Sequence, residues 1–440
     1  MKPQFLISSI GPGNGKTIFA MGLIHALRKR GMKVQPYKCG PEIIDTQLLT
    51  LSADNEAVNL DEWITTYTHI QHTYNKYGEK ADACIIEGNG ALFDGYKRMQ
   101  GSSAEIAKLL NVPVVLLVNA RMAGYSIASI IYGFKHFHPQ VKIVGVVFNQ
   151  ITSSAHYSYL KEACFDAGVD CLGYLPYNAE FKLPSKHSSI TLTTKRTMDT
   201  QINLIADDIE KNVNINRLLM NCNRNFPCQY TLPYSSDIEA ETVIPTSQQI
   251  KIAIARDPAF NFIYKENIAR LSIYGKISYF SPVYGSDLPE ADLIYLPGGY
   301  PELFARQLHR RHKLKNALKE YAEKGGKILA ECGGMAFLGR SITAKEGGTS
   351  YEMCNILPLD FTINSKLNSG YRKMTYNGVE LRGYEFHYSV TNNAENSLIA
   401  TQATNIKGTN VDLPLYRYKN IIASYGHWYW GDKDILDLWK

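Results

Sequence analysis

The feature that most limits what this chain can fold into is a glycine-rich turn set between an apolar run and a helical pattern. QFLISSI (4–10) leads into Gly11-Pro12-Gly13-Asn14-Gly15-Lys16-Thr17. TIFAMGLIHALRKRG (17–31) follows and ends in basic residues and a glycine. A strand feeding a glycine loop, with Lys-Thr opening the next helix, forms a phosphate cradle in which backbone N–H groups and the helix N-terminus face the anion. Gly13 and Gly15 supply the backbone freedom. Lys16 is expected to reach terminal phosphates and the Thr17 hydroxyl a Mg2+ ion. The common spacing places a glycine where this chain has Ile10, so the loop is a variant.

Downstream, KVQPYK (33–38), ACIIEG (83–88), VPVVLLVNA (112–120) and VKIVGVVFNQ (141–150) are continuous apolar runs with helical stretches between them. Such runs suit parallel strands covered on both faces, and the repeated strand–helix–strand order predicts a doubly wound α/β sheet. Three acids fall after such strands, where these sheets place ligands: Asp45 in KCGPEIID, Glu87 ending ACIIE, and Asp94 in ALFDG. Glu87 is placed as a second Mg2+ ligand.

The length of 440 residues suits two domains. From about 185 the pattern weakens, and the polar, proline-bearing stretch 221–249 lacks periodicity. We therefore expect a first domain over 1–190, a connecting region over 191–249 and a second domain over 250–440. IKIAIA (250–255), ADLIYLPGGY (291–300), KGGKILAECGG (324–334) and NIIASYGHWYW (420–430) predict a second α/β sheet, again doubly wound and largely parallel.

In that half Cys332 follows KILA and precedes two glycines, with small Ala330 and Gly334 at the flanks of a sharp strand-to-helix turn that exposes a nucleophile. The helix N-terminus is expected to lower the thiol pKa. The other seven of eight cysteines are scattered without a CxxC pair and are expected to be buried hydrophobes. The 47 Lys+Arg against 41 Asp+Glu are dispersed, which favours small anionic ligands over nucleic acid. The start carries no secretory pattern and no run is long enough to span a bilayer, so a cytoplasmic protein is expected.

VQPYKCGPEIIDT (34–46), EGNGALFDGY (87–96), GSSAEIAKLL (101–110), LPGGYPEL (296–303), AECGGMAFL (330–338) and GYEFHYS (383–389) together resemble the cobyrinic acid a,c-diamide synthase family. Weaker strings, GYLP (173–176) and RDPAFNFIY (256–264), keep the same order, so the likeness spans nearly the whole chain. In that family a P-loop domain similar to dethiobiotin synthetase is fused to a class I glutamine amidotransferase-like domain. The resemblance implies a carbon–nitrogen ligase that amidates the a and c carboxylates of a corrin precursor in cobalamin biosynthesis. Its substrates would be ATP, L-glutamine and a tetrapyrrole polycarboxylate.

By motif match Lys16 and Thr17 hold phosphates and Mg2+, while Asp45 and Asp94 handle substrate or metal. Asn149, ending GVVFN, matches a position that reads adenine. The Gly-Gly loop before Tyr300 resembles the amidotransferase oxyanion loop, with N–H groups of Gly299 and Gly333 as donors. His427 in SYGHW is the expected base for Cys332, with His387 in GYEFHYS as its rival. Tyr429 stands where the wider superfamily carries a glutamate, so a Cys–His dyad is expected, with slow basal glutaminase activity stimulated by ATP and acceptor. Departures from the family pattern at GPEIID, EGNGALFDG and LPSKHSSI (183–190) surround the acceptor side. They leave hydrogenobyrinic acid and nickel-sirohydrochlorin open as acceptors, and self-association is left open as well. A regulatory P-loop ATPase is the alternative from another class. It would need a second signature lysine in the glycine loop, where Lys16 stands alone.

Overall fold

The computed structural model describes residues 1–181, 192–229, 249–344, 347–392 and 396–440. The segment 183–190 and most of 221–249 lie outside these residues. Described residues up to 229 form one compact unit and those from 249 onward another.

The first unit alternates strands and helices: β1 (Lys2–Ser9), α1 (Lys16–Lys29), β2 (Val34–Cys39), α2 (Ile43–Ala53), β3 (Val58–Leu60), α3 (Tyr67–Gly78), β4 (Ala83–Glu87) and α4 (Ser103–Leu109). It continues with β5 (Val114–Asn119), α5 (Ile127–Phe137), β6 (Ile143–Ile151), α6 (Ser154–Asp166) and β7 (Cys171–Pro176). The sheet order is β3-β2-β4-β1-β5-β6-β7, parallel throughout. Strands β2, β4 and most of β1 are buried along their length, which is why they read as unbroken apolar runs.

The stretch expected to connect the domains is, in its described part, structured and built into this unit. It forms α7 (Leu192–Asn212), α8 (Ile215–Asn221) and β8 (Asn223–Arg224), and β8 pairs antiparallel with the start of β1. Buried Met198, Ile202, Ile205 and Ile209 recur at helical spacing along α7. Helix α7 packs on α1 at Gly22, where an added Cβ would stand 2.3 Å from Ile205. Lys29–Asp207 and Arg30–Glu210 ion pairs, both at 2.6 Å, flank the seam.

The second unit opens with β9 (Ile250–Ala255), α9 (Lys265–Tyr274), β10 (Gly275–Phe280), β11 (Leu293–Leu296), α10 (Ala305–His309), α11 (His312–Glu323), β12 (Lys327–Glu331) and α12 (Gly333–Leu338). Strands β13 (Ser341–Thr343), β14 (Ser350–Glu352), β15 (Asp360–Tyr376), β16 (Val379–Asn392), β17 (Ile399–Asn405), β18 (Asn410–Tyr418), β19 (Ile421–Ser424) and β20 (Gly426–Tyr429) follow. The parallel core runs β10-β9-β11-β12-β19. Beyond β19 the sheet turns mostly antiparallel through β18, β17 and β15, and β16 links β15 to β20. This extension was not legible in the sequence, because β16 alternates buried and half-exposed residues and most of β15 is half-exposed or exposed, so neither forms an apolar block. Among the described residues no helix is long and apolar enough to cross a membrane.

Candidate active sites

At the C-terminal end of the first sheet, Gly13 and Gly15 take positive φ of 72° and 89°, and α1 begins at Lys16. The loop is braced from two neighbouring strand ends. Asn14 accepts the Asn119 N–H at 2.9 Å, and Asn149 Nδ2 donates to the Asn14 carbonyl at 2.8 Å. Asn149 thus abuts the phosphate loop itself, so close to Gly15 that a Cβ there would lie 2.2 Å from its amide nitrogen.

Lys16 is buried and donates to Ser9 Oγ at 3.0 Å and to the Gly90 carbonyl at 2.5 Å. Burial, with Lys38 nearby, lowers its pKa. Thr17 Oγ1 donates to Glu87 Oε1 at 2.6 Å, while Glu87 Oε2 is buried and without a partner. Burial raises the Glu87 pKa, with Lys38 opposing.

The centre of this cluster is a residue that motif reading missed. Lys38, at the end of β2, is 3.1 Å from Glu87 and 2.8 Å from Asp45, with Glu42 at 3.9 Å. Burial alone would lower its pKa, and the three carboxylates more than reverse that, so it stays charged. A lysine ending a fully buried strand was the available signal. Asp45, in the first turn of α2, is therefore joined to Glu87 through Lys38. Asp94 lies exposed in the loop after β4, the loop whose Gly90 carbonyl holds Lys16.

Among the described residues no three His, Cys, Asp or Glu side chains converge to hold a metal. The residues present nevertheless fit Mg2+: the unpartnered Glu87 oxygen and the Thr17 hydroxyl are hard ligands. Mg2+ ordinarily completes its shell with phosphate oxygens and water.

In the second unit Cys332 sits between β12 and α12 with φ 42° and ψ −104°, a strained corner that presents its side chain. Gly334 makes the corner feasible, since a Cβ there would be 2.1 Å from the Leu296 carbonyl. The Cys332 N–H donates to the Ser424 carbonyl at 2.7 Å, tying the corner to β19. Backbone N–H groups of Gly333 and Gly299 are directed at the sulfur, and Gly299 holds φ 151° where a Cβ would strike the Ala259 carbonyl. The expected lowering of the thiol pKa does not occur. Burial pushes it up, Glu302 and Glu331 add to this, and the two N–H groups offset only part of it.

His427 and Cys332 meet across Gly298. A Cβ on Gly298 would stand 2.1 Å from His427 Cε1 and 3.3 Å from Cys332 Cβ. Gly298 is thus a second residue that motif reading passed over. The His427 ring packs edge-on to Phe262 at 5.4 Å, and neither ring nitrogen makes a well-formed hydrogen bond. Burial lowers its pKa to about 4. His387 shares the Cys332 pocket wall, but both its nitrogens are engaged: Nε2 with Glu385 at 2.8 Å and Nδ1 with the Ser389 carbonyl at 2.7 Å. Tyr429 is buried in β20 and packs on Tyr264.

Comparison with known families gives two matches in series. Residues 5–190 match the CobQ/CobB/MinD/ParA nucleotide binding domain, and residues 251–435 the CobB/CobQ-like glutamine amidotransferase domain. Similar curated proteins include cobyrinate a,c-diamide synthases from Dehalococcoides mccartyi (35% identical; 98% of this chain and 95% of that one) and Sulfurisphaera tokodaii (33%; 97% of each). The one from Priestia megaterium is 32% identical and covers 97% and 94%. Among solved structures, chloroplast FtsY from Physcomitrella patens aligns distantly, with TM-score 0.32, 13% identity, 45% of this chain and 65% of that one.

Proposed function

Since the chain belongs to the cobyrinate a,c-diamide synthase family, we propose that it amidates the a and c carboxylates of cobyrinic acid with ATP and glutamine. The observation that carries this reading is the corner at Cys332, with two N–H groups on its sulfur and His427 across Gly298, in a chain that also holds a phosphate loop.

In the second unit, the Cys332 sulfur attacks the glutamine side-chain amide carbon. His427 takes the thiol proton and delivers it to the departing nitrogen. Gly299 and Gly333 N–H groups hold the oxyanion. Ammonia leaves a thioester that water hydrolyses to glutamate, restoring the thiol. In the first unit, an acceptor carboxylate oxygen attacks the γ-phosphorus of ATP and ADP departs. Ammonia then attacks the acyl carbon, phosphate leaves and the amide remains. Thr17 and Glu87 would hold Mg2+, which would supply neutralisation of the phosphate charge. Lys16 and Lys38 place two ammonium groups around the transferring phosphoryl group, Asp45 keeps Lys38 aimed, and Asp94 faces the acceptor. Asn149, beside Gly15, is placed to read the base once its amide leaves Asn14. We place the reaction in the cytoplasm. Buried, the Cys332–His427 pair rests as neutral thiol and neutral imidazole, which supports slow glutamine turnover until ATP and acceptor are bound.

Cys332→Ser protein should lose glutamine-driven amidation and keep ammonium-driven amidation; continued use of glutamine would refute the reading. A panel of cobyrinic acid, hydrogenobyrinic acid and nickel-sirohydrochlorin, followed by mass gain per amide, tests the acceptor. No gain with cobyrinic acid would overturn that part.

A further inference from the structure

Neither ring nitrogen of His427 has a hydrogen-bond partner, so no group orients the imidazole directly. Its place beside Cys332 is set by the short strand that carries it. Along one edge β20 pairs with β16, Gly383 opposite Trp428 and Tyr384 opposite His427. The two backbones are close there: a Cβ on Gly383 would lie 2.0 Å from the His427 carbonyl oxygen. The same β16 brings the Phe386 carbonyl to 3.9 Å from Cys332 Sγ. The other edge of β20 meets no strand among the described residues, and side chains hold its backbone groups instead.

Glu331 Oε1 accepts the Trp428 N–H at 3.0 Å. Asn267 on α9 spans the next step, donating through Nδ2 to the Trp428 carbonyl at 2.8 Å and accepting the Trp430 N–H at 2.9 Å. Ser424, ending β19, accepts the Gly426 N–H at 3.2 Å and the Trp428 indole N–H at 2.7 Å. Gly426 and Trp428, the residues on either side of His427, are thus both tied down by buried side chains. Burying a polar side chain is costly unless its hydrogen bonds are made, and here they are. Packing alone would be served by apolar residues.

Glu331 differs from the other two in where it stands. It precedes Cys332, its backbone pairs with Ser424 on β19, and the Cys332 N–H donates to the Ser424 carbonyl at 2.7 Å. One side chain therefore runs from the chain neighbour of the sulfur to the chain neighbour of the imidazole. Its far oxygen, Oε2, accepts the Tyr295 hydroxyl from β11 at 2.8 Å, which fixes the carboxyl group in place. Burial pushes this carboxyl up to about 8, so the brace is uncharged at neutral pH. An anion there would push the Cys332 thiol further up.

We propose that Glu331 is a positioning residue of the glutaminase pair: holding the Trp428 N–H from the residue next to Cys332, it sets where the His427 imidazole meets the sulfur, while Ser424 fixes the Gly426 side of the same histidine. The inference rests on the Cys332–His427 assignment above. A displacement of about 1 Å in a reacting geometry costs on the order of a hundredfold in rate. A brace on the backbone that carries the ring therefore governs the reaction without touching the ring.

The test uses full-length Glu331→Leu, Glu331→Gln and Ser424→Ala proteins in glutaminase assays. Glu331→Leu leaves the Trp428 N–H buried without its acceptor, so kcat should fall at least about tenfold with KM for glutamine within about threefold. Glu331→Gln keeps an acceptor for that N–H and should recover kcat to within about threefold of wild type. Ser424→Ala should lower kcat at least about threefold, again with KM little changed. Wild-type kcat in Glu331→Leu, a loss expressed in KM alone, or a Glu331→Gln protein as slow as Glu331→Leu overturns the proposal. Urea midpoints report the folding of each variant. Should Glu331→Leu not fold, Ser424→Ala carries the kinetic test, and a kcat equal to wild type there overturns the proposal. If Cys332→Ser still uses glutamine, the functional reading itself fails. If that control behaves as expected while these variants match wild type, only this inference falls.

Discussion

At the scale of single residues, sterics and burial decide more than residue type does. Gly298 lies against the His427 imidazole and the Cys332 Cβ with no room for a methyl group. Gly298→Ala should therefore displace His427 and reduce glutamine turnover at least about a hundredfold, while ammonium-driven amidation persists; steady-state assays with each nitrogen source check both. Lys38→Met removes the charge that joins Asp45 and Glu87, and with three carboxylates left facing one another the variant should lose amidation with either nitrogen source. Glu331 offers a pH test. It is buried, its oxygens receive the Trp428 N–H and the Tyr295 hydroxyl, and burial raises its pKa from 4.5 to about 8. Its native state holds a proton that the unfolded chain releases. This contribution is therefore complete below about pH 4.5 and is lost as pH rises through about 8. Glu331→Gln, whose carbonyl can accept the Trp428 N–H while its amide donates to the Tyr295 hydroxyl oxygen, should be more stable than wild type at pH 8 and similar at pH 4.5, read from urea midpoints. Lys16, Thr17, Glu87, Cys332 and His427 were legible because their chemistry needs fixed neighbours in sequence. Lys38, Gly298 and Phe386 were not, because their partners lie across strands.

Among elements, the phosphate loop and α7 teach opposite lessons. The loop was readable in full, because strand, glycines and helix are consecutive and local geometry dictates its shape. Gly15→Ala should weaken ATP binding at least about tenfold by calorimetry, since the residue needs φ 89° and its Cβ would meet the Asn149 amide at 2.2 Å. Helix α7 was read as a connection because its surroundings are polar, although its apolar spacing is helical. What makes it part of the first unit is the groove that Gly22 leaves on α1. Gly22→Ala should push the two helices apart and cost about 1–3 kcal/mol in urea unfolding. No loss of stability would mean that the seam is slack.

For the whole molecule, each unit has its own continuous core, one centred on β1, β4 and β5 and one on β9, β11, β12 and β19. Scanning calorimetry should accordingly resolve two transitions, with ATP and Mg2+ raising only one of them. Saturation at about a hundredfold over Kd corresponds to about 2.7 kcal/mol, and equal shifts of both transitions would contradict independent cores. The two chemistries expected, the parallel strands of each sheet and the order of the two candidate sites along the chain were legible in sequence alone. Those features rest on local periodicity and on motifs whose residues are chain neighbours. Tertiary structure alone decided which groups surround each reacting atom. It brought Lys38 between Asp45 and Glu87, set Gly298 against both Cys332 and His427, and laid the Phe386 carbonyl 3.9 Å from the Cys332 sulfur. Long-range pairing and burial fix such contacts, and pairing between distant strands leaves no periodic trace in one sequence.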